Sequence, residues 1–253
     1  GIWDFDFPCA PILVDVEVDG RTIRAVAQLS KQGLCYVFDR VTGEPVWPIE
    51  ERAVPESTIP GEKTSPTQPF PTKPPPYAGL GSGDEELIDF TPELRAEAIE
   101  LLADFTRGPL YTPPSLTVRG GNQGTIQRPN LGGALNWNGG AFDPETGLLY
   151  VPSRDTHMVT VFYEPKDRDG TTVRYTHGGR GGSRPMGPQG LPIFKPPYSR
   201  MTAIDLRTGD EAWMRPAGRG AAAIREHPAL AGLDLPDLGG EGRGGPIDDP
   251  HKT

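Results

Sequence analysis

Phe38-Asp39-Arg40-Val41-Thr42-Gly43-Glu44-Pro45-Val46-Trp47 returns later in the chain as Ile204-Asp205-Leu206-Arg207-Thr208-Gly209-Asp210-Glu211-Ala212-Trp213. A third copy, Phe142-Asp143-Pro144-Glu145-Thr146-Gly147, lacks the tryptophan and runs into the apolar stretch Leu148-Leu149-Tyr150-Val151. Each copy reads as a strand, an Asp-x-x-Thr-Gly turn and a returning strand. The aspartate side chain can accept hydrogen bonds from N–H groups of the turn, and glycine takes a positive φ at no steric cost. A tryptophan eight residues after the aspartate can bury ~150–250 Å² against a neighbouring unit. The copies stand 104 and 62 residues apart. That exceeds the ~40–45 residues of a simple propeller blade, so each β unit is expected to carry an insertion.

The flanking sequence supports β structure. Pro11-Ile12-Leu13-Val14-Asp15-Val16-Glu17-Val18 passes from an apolar run into alternation and turns at Asp19-Gly20, a hairpin signal. Thr22–Ala27 returns, and Leu34–Phe38 follows the Lys31-Gln32-Gly33 turn, which predicts an antiparallel meander over residues 10–39. Residues 64–76 hold six prolines in thirteen positions, so they form neither a central strand nor a helix interior. They read either as an extended linker or SH3-type ligand, or as an ordered insertion packed on the scaffold. A helix is predicted over 92–107, with Thr91 as N-cap, Pro92 at the first position, Gly108 as the stop, and a stripe of Leu94, Ala98, Leu101, Leu102 and Phe105.

The fold expected is therefore all-β: a partial β-propeller with long Pro/Gly-rich insertions and one short helix. Residues 1–253 are read as part of a single propeller domain with an incomplete ring and an insertion over about 48–115. Radial sheets bury both faces only when the ring closes, and three or four blades do not close one.

Composition narrows the function classes. Gly and Pro number 33 and 30 of 253 residues, yet the apolar residues cluster in patterns, which argues against wholesale disorder. The net charge of −9 disfavours binding to a phosphate backbone, so no nucleic-acid partner is expected. The Gly/Arg patch 178–184 reads as a surface loop. Cys9 and Cys35 are too few for a disulfide framework or a four-cysteine zinc site, and either pair with each other or stay as two thiols. The four histidines are scattered without a metal-helix spacing. No stretch approaches the ~18 apolar residues of a membrane span. The opening Gly-Ile-Trp-Asp lacks the basic and apolar regions of a secretory leader and reads as an interior segment.

Further segments carry a family resemblance. Ala203-x-Asp205-x-x-x-Gly209-x-x-x-Trp213 looks like the tryptophan-docking repeat of the pyrroloquinoline quinone (PQQ) dehydrogenases, which are eight-bladed propellers. Ile2-Trp3-Asp4-Phe5-Asp6-Phe7-Pro8, Leu29-Ser30-Lys31-Gln32-Gly33, Thr64–Phe70, Tyr111–Ser115, Asn136-Trp137-Asn138-Gly139-Gly140 and His227–Leu230 resemble, in order, segments of the membrane-bound glucose dehydrogenase branch. The chain so matched looks like a central-to-C-terminal portion of such an enzyme.

The resemblance implies oxidation of a sugar or alcohol hydroxyl, with electrons passing to PQQ and then to ubiquinone, on the periplasmic side of the inner membrane. Asp4 matches the catalytic aspartate of the Trp-Asp motif, the implied general base. Lys31, 27 residues on as in the family, matches the lysine implied to stabilise charge on the quinone oxygens. Asn136 and Trp137 match a segment lining the cofactor site, although the glucose dehydrogenase branch carries a carboxylate where Asn136 stands and alcohol-oxidising relatives have Asn-Trp. Asp6 and Arg40 are read as structural. The divalent metal (Ca2+ or Mg2+) implied to clamp PQQ takes ligands from blades N-terminal to the Trp-Asp motif, so this chain is expected to hold no metal ligand, to need the rest of the propeller, and to show little or no turnover alone. The competing readings are a non-catalytic propeller scaffold, a PQQ alcohol dehydrogenase, and an SH3 ligand with a globular tail. The last explains only residues 64–76.

Overall fold

The structure, a computed structural model, describes residues 2–165, 172–177 and 185–240; the Gly/Arg patch and the last residues of the chain lie outside the described residues. The chain begins with the expected meander of β1 (Ile12–Val18), β2 (Arg21–Leu29) and β3 (Cys35–Asp39), in that order in the sheet. Asp19 and Gly20 both take positive φ, 50° and 72°, which matches the turn to the twist of the strands. Val14, Val16 and Val18 point inward while Asp15 and Glu17 face solvent. Past Asp39 the chain folds back along β3, where Phe38 bridges Pro45 and the Val46 N–H donates to the Val37 carbonyl at 2.9 Å.

The proline-rich region is an ordered insertion. β4 (Ile49–Ala53) pairs with β5 (Thr67–Pro71) in a two-stranded sheet, so Pro69 and Pro71 interrupt no inner ladder. Helix α1 covers Pro92–Leu101, with the Thr91 hydroxyl accepting from the Leu94 N–H at 3.2 Å. It is shorter than the predicted 92–107. Leu102 leaves helical geometry, and Thr106 instead bridges Thr125, so Gly108 is not the stop. Leu94, Ala98 and Leu102 are buried as expected, but Leu101 is 45% exposed, lying off the stripe that the other three define. A second, four-residue helix, α2 (Ala222–Arg225), was not anticipated.

Five short strands follow α1: β6 (Thr125–Gln127), β7 (Ala141–Asp143), β8 (Leu148–Arg154), β9 (Met158–Thr160) and β10 (Phe162–Tyr163). The described elements continue with β11 (Thr176–His177), β12 (Ser199–Asp205) and β13 (Asp210–Pro216). β7, β8, β12 and β13 form one antiparallel sheet in consecutive order, while β6 pairs with β9 and β10 with β11. Two of the three repeated turns therefore fall in a single sheet, between β7 and β8 and between β12 and β13. The copies ending in tryptophan are the equivalent ones, since each leaves the third strand of its sheet.

The turns themselves are near-identical. The aspartate carboxylates accept from Val41, Glu145 and Arg207 N–H at 2.8, 2.9 and 2.9 Å. The glycines at 43, 147 and 209 take φ of 81°, 73° and 73°. Trp47, from the first sheet, lies over the turn of the second: a Cβ placed on Gly209 would meet its indole at 2.8 Å. Lys73, from the proline-rich insertion, reaches the same turn, donating to the Thr208 carbonyl and pairing with Asp210, each at 2.9 Å. Trp213 rests in its own sheet against Tyr150, ring centroids 5.9 Å apart.

The two larger sheets share one apolar core. Val14, Val16, Val18, Ala25, Ala27, Leu29 and Val37 meet Leu149, Val151, Ile204 and Leu206 there. Cys9 and Cys35 lie in it as free thiols, and burial with the neighbouring Cys9 charge pushes Cys35 up to about 12. A second core joins α1 to β6, β9 and the segment around Phe194. At its edge Arg128 is buried, ion-paired with Asp155 and, at 2.7 Å, with Glu86, and it lies 4.6 Å over the Phe194 ring. Burial alone would raise the Asp155 pKa, but the Arg128 charge and hydrogen bonds, with the His157 ring 4.0 Å away, outweigh it and hold the carboxyl at about 2.

Two predictions follow from this packing. Gly209→Ala should cost roughly 2–3 kcal/mol, strain plus collision with Trp47 and the Lys73 Cβ, against about 1 kcal/mol for Gly43→Ala, which has open space but a similar φ. Urea unfolding of both variants reads the difference, and equal costs would remove the docking of Trp47. Asp155→Ala should cost about 3 kcal/mol by leaving Arg128 short of a counter-charge. In the parent protein the Asp155 contribution is fully present above its unfolded pKa of ~3.9 and lost as pH falls through about 2. Thermal melts from pH 7 to 2 should therefore show a shallower acid loss in the variant.

Candidate functional site

The Trp3-Asp4 dipeptide is fixed by its neighbours rather than by a strand. The Trp3 indole N–H donates to the Thr112 carbonyl at 3.2 Å, and the Gln127 amide of β6 donates to the Trp3 carbonyl at 2.8 Å. Trp3, Phe5 and Phe70 each meet Tyr111 edge to face, with centroids 5.2, 5.7 and 5.6 Å away. Between the clamped aromatics Asp4 takes a left-handed φ of 55°, an uncommon conformation for a residue with a side chain. The bend turns its carboxylate toward the β2–β3 turn.

Lys31 sits in that turn with its side chain 10% exposed. Its ammonium donates to Asp4 Oδ2 at 3.1 Å and pairs with Asp6 Oδ1 at 2.5 Å. Both carboxylates stand more than half exposed, at 61% and 57%. Burial works against the Lys31 charge, but the hydrogen bonds and charges of Asp6 and Asp4 outweigh it and raise its pKa above the ordinary lysine value. The hydrogen bond from Lys31 in turn holds Asp6 below the usual carboxylate range, against the smaller effect of burial. Asp6 was expected to be structural, yet it is the nearer partner. Its position two residues from Asp4 was the only sign of this in the sequence.

Asn136 and Trp137 belong to a loop docked on the same lysine. The Ala134 N–H donates to the Lys31 carbonyl at 2.8 Å, and the Arg154 N–H, at the end of β8, donates to the Ala134 carbonyl at 2.9 Å. Gly133 makes this approach possible: a Cβ there would fall 2.6 Å from Lys31 Cγ. The Asn136 amide donates to the Gly132 carbonyl and its oxygen accepts from the Trp137 N–H, at 2.9 and 2.8 Å, so one donor and one lone pair shape the loop and one of each remains. The Trp137 ring is 81% exposed.

Three of the four expected site residues line two separate cavities. Asn136 and Trp137 line one of about 450 Å³, together with Arg154, Thr156 and Arg200. Asp4 lines another of about 570 Å³, with Asp6, Gln32 and a wall of aromatic rings that includes Tyr36 and Tyr111. Lys31 stands where the two segments meet. Among the described residues no group of three His, Cys, Asp or Glu side chains could hold a metal ion. Chemically, the arrangement offers exposed carboxylates beside a fixed cation.

Comparisons with known proteins identify the family of the chain. The sequence model of the PQQ glucose/ethanol/alcohol dehydrogenase β-propeller domain matches residues 1–249. The chain is 31% identical over 234 residues to the quinate/shikimate dehydrogenase (quinone) of Acinetobacter baylyi, covering 86% of this chain and 28% of that protein. It is 27% identical over 251 residues to the quinoprotein glucose dehydrogenase of Escherichia coli, again covering 86% of this chain and 28% of the other. Among solved structures, the quinohemoprotein alcohol dehydrogenase from Comamonas testosteroni aligns with a TM-score of 0.41 at 17% identity, over 84% of this chain and 25% of that one. The chain therefore spans less than a third of the length of these relatives. With the family model running over nearly every residue, the chain belongs to the PQQ glucose/ethanol/alcohol dehydrogenase β-propeller family.

Proposed function

We propose that the chain supplies one wall of the active site of a PQQ-dependent dehydrogenase that oxidises a hydroxyl group of a sugar, polyol or alcohol. The contact of Lys31 with Asp4 carries this reading, because it joins a candidate base to a fixed cation across 27 residues of sequence. A non-catalytic scaffold gives that contact no task. The chain is one part of a single propeller domain, with the region around 48–115 inserted into it. The substrate class follows the relatives, whose names specify quinate or shikimate, glycerol and glucose. We place the reaction on the periplasmic side of the inner membrane, with ubiquinone as the onward acceptor. Among the described residues no helix is long and apolar enough to cross a membrane.

The residues present suit the cofactor. PQQ is a flat tricyclic tricarboxylate, and the 450 Å³ cavity combines an exposed indole, an amide and the side chains of Arg154 and Arg200. Trp137 would offer a stacking face and Asn136 a hydrogen bond to a polar edge, with Lys31 beside the cavity where the two segments meet. Bound there, PQQ supplies an electrophilic quinone that accepts two electrons. A divalent metal, Ca2+ or Mg2+, would be held by residues outside this chain.

The chain's own contribution is proton handling and charge. Asp4 Oδ2 is engaged by Lys31, which leaves Oδ1 on an exposed carboxylate to take the proton of a substrate hydroxyl. Removing that proton makes hydride departure from the adjacent carbon easier. The Lys31 ammonium has three N–H donors. Two are engaged by Asp4 and Asp6, and the third remains for an oxygen that gains negative charge.

The test is made in the full-length protein, loaded with PQQ and metal and assayed by dye reduction with glucose, quinate and glycerol. Lys31→Ala should lower kcat/KM by about 10²–10³-fold, and Asp4→Asn should lower kcat by about 10²–10⁴-fold, both with an unchanged circular dichroism spectrum. Full activity in either variant would reject the assignment of that residue.

A further inference from the structure

Lys31 has two acidic partners where one base is needed: Asp6 is the nearer ion-pair partner, and Asp4 accepts the ammonium hydrogen bond. Asp6 Oδ1 lies 2.5 Å from the ammonium, while Asp4 Oδ2 lies at 3.1 Å. Asp6 also holds Lys31 at the other end of the residue, where its carbonyl accepts the Lys31 backbone N–H at 3.2 Å. Both carboxylates, two residues apart, reach the ammonium from one side of the chain, Asp4 from a left-handed backbone conformation. On the far side the aliphatic stem is confined by Gly133, where a Cβ would fall 2.7 Å from Lys31 Cα and 2.6 Å from Cγ.

We infer that Asp6 is a positioning residue: it clamps Lys31 by backbone and ammonium together, fixes where the third N–H points, and leaves Asp4 with one longer hydrogen bond and a free oxygen. An ammonium on a four-carbon stem has no directional preference of its own, so a third group must set its orientation. With Asp6 carrying the shorter ion pair, the carboxylate of Asp4 is not locked in a salt bridge and stays accessible to a hydroxyl. The inference deepens the proposed function, resting on it for the role of Lys31, but the clamp itself is a property of this chain and is measurable without cofactor.

The experiment compares Asp6→Asn, Asp6→Glu and Asp4→Asn in the 15N-labelled full-length protein without cofactor, following the Lys31 NζH3+ resonance, assigned by its loss in Lys31→Arg. A held ammonium exchanges slowly and gives a visible signal near neutral pH. Asp6→Asn should abolish that signal, Asp6→Glu should restore it, and Asp4→Asn should leave it in place. A signal that survives Asp6→Asn, or that disappears only in Asp4→Asn, overturns the inference. In the loaded full-length protein Asp6→Asn should lower kcat about tenfold at unchanged KM. An unaltered kcat there, with Lys31→Ala inactive, would overturn the positioning role while sparing Lys31. An active Lys31→Ala variant beside a lost NζH3+ signal would instead sink the reading of Lys31 and leave the clamp standing.

Discussion

The contact between the two larger sheets is the constraint on which the remainder depends. It consists of an aliphatic layer, with Ala25, Ala27 and Leu29 facing Leu149, Val151 and Ile204, closed at its rim by Trp47 over the Gly209 turn. The small residues let the sheets approach, and the indole fixes their relative slide. Neither sheet buries its inner face without the other, so the hydrophobic contribution of one is conditional on the other. Lys73 adds a polar tie from the insertion to the same turn.

The candidate site inherits its geometry from that contact. Lys31 lies between β2 and β3, and the loop carrying Asn136 is anchored to the end of β8. A relay of main-chain hydrogen bonds, from Ala134 to Lys31 and from Arg154 to Ala134, spans the seam between the two sheets. Asp4 arrives independently, held by Trp3 in the aromatic cluster around Tyr111. Three separate parts of the chain thus converge on one lysine, and only the sheet-to-sheet contact brings two of them together.

Much of this was legible in the sequence because its causes are local. Alternation, the Asp19-Gly20 turn and the Asp-x-x-Thr-Gly repeats each depend on a few adjacent residues, and β1 to β3 fall where the pattern places them. That Asp4 and Lys31 belong to one site was implied by the family resemblance, but their direct contact was not. What failed depended on distant partners. That two repeats share one sheet is decided by β8 pairing with β12, which local spacing does not encode. The helix end was misplaced because Phe105 continues the apolar pattern, while Thr106 is drawn away to Thr125. Asp6 was passed over because an exposed carboxylate two residues from another looks like ordinary surface until a buried ammonium is found between them. The two cavities draw their walls from many segments, and only the Trp3-Asp4 and Asn136-Trp137 stretches among them had a counterpart in the family motifs.

The pairing of β8 with β12 also has a kinetic side. Arg154 pairs with Ser199, so the middle of the second sheet waits for the intervening stretch to be made and gathered in. Until then the short β7–β8 hairpin presents an unpaired edge, and the first sheet has only half of its partner surface. Non-local closure of this kind slows folding and prolongs the exposure of strand edges that pair readily with other chains. The long excursion between two neighbouring strands thus places closure of the second sheet on the slow, non-local side of folding and leaves the β8 edge open until it happens.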